Sequence, residues 1–533
     1  MHLDELMIDI GDFGWYQIVI VACFLSTKIP VAFTMLEMAF TGFIPDWWCE
    51  SMPTSGLVSN GNNQTAYLVT NGNMSKHSIS LNQCYDTDNA TFCKRNFDMS
   101  KRTIVNEWDL VCENRWISFT ITSVQMAGAL VGATIVSYTG DRFGRRRTLY
   151  VVQLLHLIFL GICAASQSWH LFTAMRFGIG LSAGATIVVS FPASIEFVGK
   201  KWRALLGAYP VWAGAAPFLP LITWLFPNWR HFEIIVCIIS FPICLGFFIV
   251  PESIRWLTVK GKLKEAAAVA CKIARKNKKT EPNTDILELV AEDERRINKT
   301  YSSYTHLDLF RDKRMALITL RIWYSWFTSA VCYWCLILGV QNMSGNFYLN
   351  FFLVSIVEIP ASLLVLLFVN RKRFGRRWST AMANMGVALG AFGAIIASLT
   401  APPEHKAYYV SICAMISKFC TTCGWSCMSP FTAELYPTVI RNLGYGCAGT
   451  VSRIGGVFAS QVISLAVKGG YVPYVIICIL MAIDTCSVLT LPETRGEALE
   501  DTLSTEKKFN LPLSEYKEVL QPVKEPEKQN FNV

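Results

Sequence analysis

Apolar residues in this chain are grouped in long runs, and polar residues are concentrated in the stretches between them. A run of about 20 apolar residues is long enough to cross the hydrocarbon core of a bilayer as an α-helix. We therefore expect an all-α membrane protein. The pattern predicts twelve membrane-spanning helices, at 15–43, 116–138, 148–166, 170–193, 204–226, 232–250, 315–340, 347–369, 378–400, 407–433, 443–467 and 471–491.

The predicted helices divide into two sets of six around a charged segment. Short loops rich in lysine and arginine favour the cytoplasmic side, and the basic loops 140–147 and 371–377 each follow an even-numbered helix. Both chain ends and the charged segment are therefore expected in the cytoplasm. The predicted regions are the N-terminus 1–14, an N-terminal six-helix bundle 15–250 with an extracellular loop 44–115, a cytoplasmic linker 251–314, a C-terminal six-helix bundle 315–491 and a cytoplasmic tail 492–533.

Composition agrees with a membrane protein and excludes several other classes. Of the 533 residues, 52% are hydrophobic and only 16% are charged, whereas soluble proteins carry more charge. The net charge of +9 is dispersed over predicted cytoplasmic loops, so it indicates membrane orientation and no nucleic-acid partner. No phosphate-binding loop, metal-ligand cluster or catalytic triad stands out. We therefore expect no enzyme activity, no cofactor and no bound metal.

Three charged motifs occur once in each half of the chain and in the same order. Each later copy follows its partner by roughly 240 residues, which is too long a period for a solenoid repeat. A duplicated unit of several membrane helices is typical of transporters. The paired motifs are Gly140–Arg147 with Arg373–Arg377, Glu196 and Arg203 with Glu434 and Arg441, and Pro251–Arg255 with Pro492–Arg495.

On these motifs the chain resembles the organic cation, anion and zwitterion transporter family (solute carrier family 22) of the major facilitator superfamily. Sugar facilitators share some of the motifs, namely Gly140–Arg147, Pro251–Leu257 and Leu491–Gly496. The more specific segments are Ile195–Gly199, Thr432–Asn442 and the end of the first external loop, Glu107–Cys112.

The resemblance implies the major facilitator fold, in which two six-helix bundles enclose a central cavity that opens alternately to either side. It also implies transport of small organic ions at the plasma membrane, with a possible coupling ion. The expected function is a secondary-active or facilitative carrier, because no motif for ATP binding is present. A receptor or sensor that kept the carrier fold is the alternative from another class.

The predicted extracellular loop contains signals for covalent modification. Four cysteines in an exoplasmic loop indicate two disulfides, with three possible connectivities. The cysteines are Cys49, Cys84, Cys93 and Cys112, and the predicted glycosylation sites are Asn63, Asn73 and Asn89.

The duplicated charges at the cytoplasmic helix ends predict a latch. We expect carboxylates and arginines to pair across the interface between the bundles and to separate when the carrier changes conformation. The alternative is that the positive charge here only fixes membrane topology. The predicted gating residues are Asp141, Arg145, Glu196, Arg203, Glu252, Arg376, Glu434, Arg441 and Glu493.

Charged residues inside membrane spans are costly and are functional candidates. Lys28 and Glu37 are nine residues apart, so they face opposite sides of the first helix and are not expected to be partners. The other charges in the predicted spans that we singled out are Arg176, Glu358, Lys418, Arg453 and Asp484. By resemblance and by charge, the predicted substrate-binding residues are Trp326, Tyr333, Glu358, Arg453, Lys28, Glu37, Trp425 and Ser426.

Arg453 and Glu358 carry the prediction of substrate charge. In the family, cation carriers have an acid at the place of Arg453, whereas anion and carnitine-type carriers have arginine. Arg453 would bind a carboxylate and Glu358 an ammonium group, which together indicate a zwitterionic or cationic amine such as a carnitine-like compound. An organic anion exchanger is the close alternative if Glu358 is paired internally. In a third interpretation, Glu358 and Arg453 neutralise each other or other buried charges.

Overall fold

The long apolar runs form long helices, because backbone groups at hydrocarbon depth must satisfy their hydrogen bonds within the chain. The computed structural model describes residues 2–49, 58–59, 66–70, 73–77, 95–199, 202–203, 211–284, 286–292, 306–343, 345–368, 375–437, 440–467 and 470–494. The helices of the N-terminal half are α1 (His2–Asp9), α2 (Trp15–Ser26), α3 (Lys28–Leu36), α4 (Met38–Thr41), α5 (Ile104–Glu107), α6 (Arg115–Phe143), α7 (Arg145–Ala164), α8 (Trp169–Ile195), α9 (Val211–Ala215), α10 (Phe218–Leu225), α11 (Trp229–Cys244) and α12 (Gly246–Ile249).

The linker and the C-terminal half continue the helical pattern. The linker contributes α13 (Ile254–Val259) and α14 (Leu263–Lys276). The helices of the C-terminal half are α15 (Lys313–Leu338), α16 (Phe347–Ile356), α17 (Glu358–Phe368), α18 (Gly375–Thr400), α19 (Pro403–Leu435), α20 (Arg441–Ser464) and α21 (Val472–Leu489).

Each of the twelve predicted spans contains helix in its described part, and residues 204–210 of the fifth span lie outside the described residues. Within the described ranges, nine segments are long and apolar enough to cross a membrane. The segment Val211–Leu225 is apolar but shorter, and the long helices α19 and α20 are more polar. The first predicted span is divided into α2, α3 and α4 at Thr27 and Glu37. Pro30 lies in the first turn of α3, where the missing N–H of proline is tolerated.

Helices α6 and α8 pack closely in the N-terminal half because both carry glycines at the contact. A Cβ atom on Gly128 or Gly132 of α6 would overlap the backbone of α8. A Cβ atom on Gly180 or Gly184 of α8 would likewise overlap carbonyl oxygens of α6. Small residues let membrane helices approach each other in this way, and this packing fixes the position of the polar residues on α8.

The loop between the first two spans contains two small antiparallel sheets. Strand β1 (Trp47–Cys49) pairs with β5 (Arg95–Phe97), and the other sheet contains β2 (Val58–Ser59), β3 (Ala66–Thr70) and β4 (Asn73–His77). The predicted glycosylation site Asn73 begins β4. The predicted sites Asn63 and Asn89, and the cysteines Cys84 and Cys93, lie outside the described residues.

The structure shows that one of the four loop cysteines forms a disulfide. Cys112 is disulfide-bonded, and none of the four loop cysteines is among the free cysteines of the described residues. The side chain of Cys49 and the whole of the other two cysteines are not described, so the pairing of the four remains a prediction.

The linker packs against the start of the chain. Helix α14 buries Ala266, Ala270 and Ile273 in a cluster that also contains Leu6 and Met7 of the N-terminal segment. The lysines and arginines of α14 lie on its exposed face. Helix α14 is therefore amphipathic, and the cytoplasmic location of the linker stays a prediction.

Candidate transport site

One of the apolar clusters in which the two halves meet lies between α3, α6, α8, α9, α15 and α20. We call this the roof cluster; it contains Val31, Met35, Met126, Ala129 and Ala183, with Ile187, Trp212, Trp334 and Val457 packed against it. Its members come from both halves of the chain. The side of the molecule with the loop 44–115 is called the outer side below, and the side with the linker the inner side.

Aromatic side chains join the halves on the outer side of the roof cluster. The ring of Phe40 in α4 lies 4.9 Å from that of Phe347 and 4.6 Å from that of Phe351, both in α16. Closer to the roof, Gln461 of α20 donates to the Ser123 hydroxyl of α6 at 2.9 Å. These contacts close the outer side between the halves.

Two cations lie one helical turn to the inner side of the roof cluster. Lys28 precedes Val31 by three residues in α3, and Arg453 precedes Val457 by four in α20. Both helices run from the inner to the outer side, so both cations stand at a similar depth beneath the same cluster. The structure thus places one predicted substrate residue from each half below the closed outer side.

Neither cation forms an ion pair with any residue that the structure describes. The Lys28 ammonium lies 5.6 Å from the centre of the Phe191 ring. The Arg453 guanidinium donates to the Gly449 carbonyl of its own helix at 3.2 Å, and its buried Nε atom has no hydrogen-bond partner. Positive charge at this depth without a carboxylate is costly, and an anionic ligand would offset that cost.

Glu358, the predicted ammonium-binding residue, is already occupied. Its carboxylate lies 2.7 Å from the Lys418 ammonium and accepts a hydrogen bond from the Tyr333 hydroxyl at 2.9 Å. Trp212 of the other half donates to the same Tyr333 hydroxyl at 2.8 Å. The ammonium of Lys418 also lies 3.4 Å from the centre of the Tyr333 ring. Glu358 and Arg453 are therefore not partners, and Glu358 is neutralised within its own half.

Two of the remaining predicted substrate residues of the C-terminal half, Trp326 and Trp425, form an aromatic group with Tyr445. Trp326 lies edge-on to Trp425 at 5.1 Å and to Tyr445 at 5.2 Å, and its indole donates to the Thr432 hydroxyl at 2.9 Å. Ser426 donates to a carbonyl of its own helix at 3.1 Å. Tyr445 precedes Arg453 by eight residues in α20, so this group lies about two turns further towards the inner side.

Glu37 lies in a closed ionic cluster of the N-terminal half. Its carboxylate contacts Arg176, which also contacts Glu233, and all three side chains are fully buried. The Cys163 thiol donates to Glu233 at 3.4 Å. The role of Glu37 as a substrate residue stays a prediction. Sequence reasoning missed Glu233, although an acid inside the predicted span 232–250 is the same signal that singled out Glu37.

The predicted gating residues of the N-terminal half form a network within that half. Arg145 lies 2.7 Å from Asp141 and 3.6 Å from Glu196. Glu252 accepts the backbone N–H of Arg146 at 3.0 Å, at the N-terminus of α7. A carboxylate at this position satisfies an unpaired helix N–H and interacts favourably with the helix dipole.

The C-terminal half repeats this arrangement. Arg376 lies 3.0 Å from Glu434, and the Glu493 carboxylate accepts the backbone N–H groups of Arg376 and Arg377 at 2.7 Å and 3.1 Å. Thr494 donates to Glu434 at 2.6 Å. The duplicated motifs therefore build the same local structure twice.

These ion pairs differ from the predicted latch, which was expected to cross the interface. In this conformation Asp141, Arg145 and Glu196 pair within one half, and Arg376 and Glu434 pair within the other. The reason is proximity. Arg145 and Arg376 lie in the first turn of α7 and α18, and the carboxylates of the same half lie beside these helix ends. Arg203 donates to the Val198 carbonyl at 3.3 Å, and Arg203 and Arg441 both have further contacts.

Comparison with known proteins identifies the family of this chain. A profile described as "Sugar (and other) transporter" matches residues 73–503. The chain is 30% identical to Solute carrier family 22 member 2 of Rattus norvegicus, with 96% of each protein covered. It is 30% identical to Solute carrier family 22 member 7 of Bos taurus, covering 96% of this chain and 98% of that protein. It is 28% identical to Organic cation/carnitine transporter 2 of Homo sapiens, covering 94% and 93%.

Solved structures match over nearly the whole fold at low sequence identity. The partially occluded inward-open xylose transporter XylE from E. coli has a TM-score of 0.62 and 16% identity, covering 91% of this chain and 100% of that one. A crystal structure of a D-xylose-proton symporter has a TM-score of 0.60 and 15% identity, covering 91% and 99%. These likenesses show the major facilitator fold.

Proposed function

Since the chain belongs to solute carrier family 22 of the major facilitator superfamily, as its motifs and relatives show, we propose that it carries small organic anions by alternating access. The family establishes a multi-pass membrane transporter with a small-molecule substrate, and not an enzyme. The substrate class is the further step, and the charges beneath the roof cluster support it.

The observation that carries the proposal is the contrast between paired and unpaired charges near the roof cluster. Among the described residues, Lys28 and Arg453 have no carboxylate partner, whereas Glu358 is held by Lys418 and Tyr333. Among the residues described here, a substrate in this region meets two unpaired cations, and Glu358 is already paired. A carboxylate or sulfonate would form charge-assisted hydrogen bonds with the Arg453 fork and neutralise Lys28.

The pairing of Glu358 changes the expectation of a zwitterionic or cationic substrate. That expectation required an acid free to bind an ammonium group. Lys418 already provides the positive charge for Glu358, so an ammonium ligand would have to displace a buried lysine. Removing one partner from a buried ion pair is strongly unfavourable. The carnitine-type relatives make the zwitterion the second candidate, and the panel below separates the two.

Aromatic side chains complete the proposed binding region. Trp326, Trp425 and Tyr445 form an apolar wall below Arg453, which suits the ring or chain of an organic anion. Tyr333 belongs to the Glu358 pair and, through Trp212, to the contact between the halves. Movement of the halves relative to each other would therefore change the hydrogen bonds of the Tyr333 hydroxyl.

Two sets of contacts support the proposal of alternating access. The outer side is closed by aromatic contacts between the halves, while the named ion pairs of the inner side lie within each half. We propose that some of these charges exchange partners across the interface when the inner side closes. The plasma membrane location, the glycans on the outer loop, its two disulfides and any coupling ion belong to the same proposal.

Uptake of a small labelled panel tests the substrate class. The panel contains an aromatic sulfonate, a carnitine-type zwitterion and a quaternary amine, presented to cells with measured surface expression. We expect sulfonate uptake, and we expect Arg453→Gln to reduce its apparent affinity by about thirtyfold or more, since a desolvated charge contact contributes several kcal/mol. Lys406→Gln, which removes an exposed lysine of α19 on the outer side, is the matched control.

The other outcomes are decisive as well. Preference for the zwitterion, lost on Glu358→Gln, would contradict the anion proposal and restore the zwitterion. Uptake of the amine alone would exclude both. Uptake of no probe by a well-expressed native protein would favour a receptor or sensor.

A further inference from the structure

A buried carboxyl group in the C-terminal half has no role in the site described above. Asp484 lies in α21, and its side chain is fully buried where α21 packs against α15 and α18. It stands twelve residues into α21, which is about 18 Å from the outer end of that helix. This depth is within the hydrocarbon core of a bilayer.

The two oxygen atoms of Asp484 have different surroundings. Oδ2 accepts hydrogen bonds from the Ser325 hydroxyl of α15 and from the Asn384 amide of α18, both at 2.7 Å. Oδ1 is buried and accepts no hydrogen bond at ordinary distance from a described residue, and the Thr328 hydroxyl of α15 is a third polar neighbour of the carboxyl group.

Buried polar atoms in native proteins are nearly always satisfied. Glu37 and Glu233 also have one such open oxygen, but Arg176 compensates their charge, whereas Asp484 has no described cation beside it. The open oxygen of Asp484 is therefore the one at which a proton would remove an uncompensated buried charge.

No lysine, arginine or histidine of the described ranges pairs with Asp484. The titratable groups that interact with it are Tyr324 and Cys332, both on α15. From α18 it meets the Asn384 amide, and the Tyr324 hydroxyl donates to the Leu480 carbonyl one turn away on α21. These neighbours are neutral, so they do not compensate a buried negative charge.

We propose that Asp484 is a proton-binding site of the carrier. The proton occupies Oδ1 and leaves the two hydrogen bonds to Oδ2 in place. A metal ion fits less well, because hard cations take several oxygen ligands and both donors here already direct their hydrogens to one oxygen. Among the described residues, no group of three or more potential metal-ligating histidine, cysteine or acidic side chains occurs.

The position of Asp484 connects proton binding to the transport helix. Its hydrogen-bond partner Ser325 immediately precedes Trp326, and the same helix α15 carries Tyr333. Asp484 and Tyr324 join α15 to α21 at adjacent points. Loss of the proton leaves a negative charge on Asp484 that its neutral neighbours compensate poorly. The charged form therefore favours an arrangement in which water reaches the contact between α15 and α21. Proton occupancy and the conformation of α15 are then thermodynamically linked.

Infrared spectroscopy of the purified protein in lipid tests proton binding directly. We expect a protonated-carboxyl absorption that disappears as the pH is raised and that is missing in Asp484→Asn. The variant keeps the shape of the side chain, and thermal unfolding checks that it folds. Glu265→Gln, which neutralises an exposed carboxylate of α14, is the matched control and should retain the absorption.

Three results would overturn the site. Identical spectra for native protein and Asp484→Asn would show that Asp484 carries no proton. An Asp484 absorption that persists at every pH would make it a permanently protonated structural residue. Loss of the absorption on adding sodium at constant pH would assign the site to a metal ion.

If Asp484→Asn does not fold, Ser325→Ala serves instead. Removal of a hydrogen-bond donor from Oδ2 must shift the infrared absorption of Asp484, so an unshifted band would contradict the proposal.

A second measurement tests whether proton binding at Asp484 is coupled to transport. Unlike the infrared experiment, it rests on the proposed anion transport. Uptake of an aromatic sulfonate, whose charge is constant over the pH range, should change several-fold across the range in which the Asp484 absorption titrates. In Asp484→Asn this dependence should be lost while uptake persists. A native pH dependence that survives in the variant would overturn coupling through Asp484. Absence of sulfonate uptake at every pH would instead contradict the transport proposal, which the infrared result does not require.

Discussion

At the scale of single residues, the partner of each buried charge decides what that charge can do. Arg176 is held between two glutamates and Lys418 by one, so these cations contribute to the structure of their own halves. Lys28 and Arg453 have the same charge at a similar depth, but no described acid meets them. The difference lies in neighbours and not in residue type, because a compensating charge offsets the cost of burying an ion.

Glu196 provides a prediction at this scale, because it lies just beyond the inner end of α8. Burial raises the pKa of its carboxyl above the ordinary value of 4.5, against the lowering effects of the Ser253 hydrogen bond and of Arg145. The folded protein then retains a proton that the unfolded chain has released. The stabilisation is present at low pH and is lost as pH rises through the raised pKa.

We therefore expect the difference in unfolding free energy between native protein and Glu196→Gln to change as the pH rises above 4.5. Thermal unfolding in detergent at a series of pH values measures it, with Glu265→Gln as the exposed control. A constant difference between the Glu196 variant and the native protein would show that this carboxyl titrates normally.

At the scale of elements, glycine positions decide how closely the long helices approach. In α8, Gly180 and Gly184 lie against carbonyl oxygens of α6, so the two helices touch backbone to backbone. Gly161 in α7 faces open space, with no atom within 4 Å of a Cβ placed there. The same residue type is therefore structurally required in one helix and replaceable in another.

Gly184→Ala should destabilise the protein by about 1–3 kcal/mol or more, because the added methyl group overlaps the Ala129 carbonyl oxygen and α6 must move. Gly161→Ala, the matched control, should be neutral or slightly stabilising, since it only restricts the unfolded chain. Thermal unfolding and yield of monodisperse protein measure both. Equal behaviour of the two variants would contradict close packing of α6 on α8.

At the scale of the whole molecule, contacts between the halves decide which side is closed. Lys101, in the outer loop of the N-terminal half, places its ammonium among three aromatic rings. The ring centres are 4.6 Å away for Phe43, 4.9 Å for Tyr348 and 5.7 Å for Phe347. Two of the rings belong to α16 of the other half, so this lysine joins the halves on the outer side.

Lys101→Gln should shift the carrier towards opening on its outer side, because cation–π contacts are lost. A loss of about 1 kcal/mol corresponds to about a fivefold shift in the ratio of closed to open molecules. The rate at which an impermeant thiol reagent labels Val457→Cys in the roof cluster measures the shift from outside. Lys406→Gln should leave this rate unchanged, and an unchanged rate in the Lys101 variant would exclude it from outer closure.

Sequence alone determined the features that depend on local chemistry. Apolar runs predicted the twelve spans, because hydrocarbon requires each apolar segment to form a helix. The duplicated motifs predicted the two related halves, and in the structure Glu252 and Glu493 occupy equivalent positions at the starts of α7 and α18. The family signatures identified the fold and the transporter family.

Tertiary structure decided which charges meet. The sequence pattern places Glu37, Arg176 and Glu233 in three different spans but does not say that these residues meet. It likewise cannot indicate that Lys418 neutralises Glu358, or that the inner ion pairs lie within each half in this conformation. An ion pair requires two side chains within about 4 Å of each other, and that distance is set by how helices far apart in the sequence pack together.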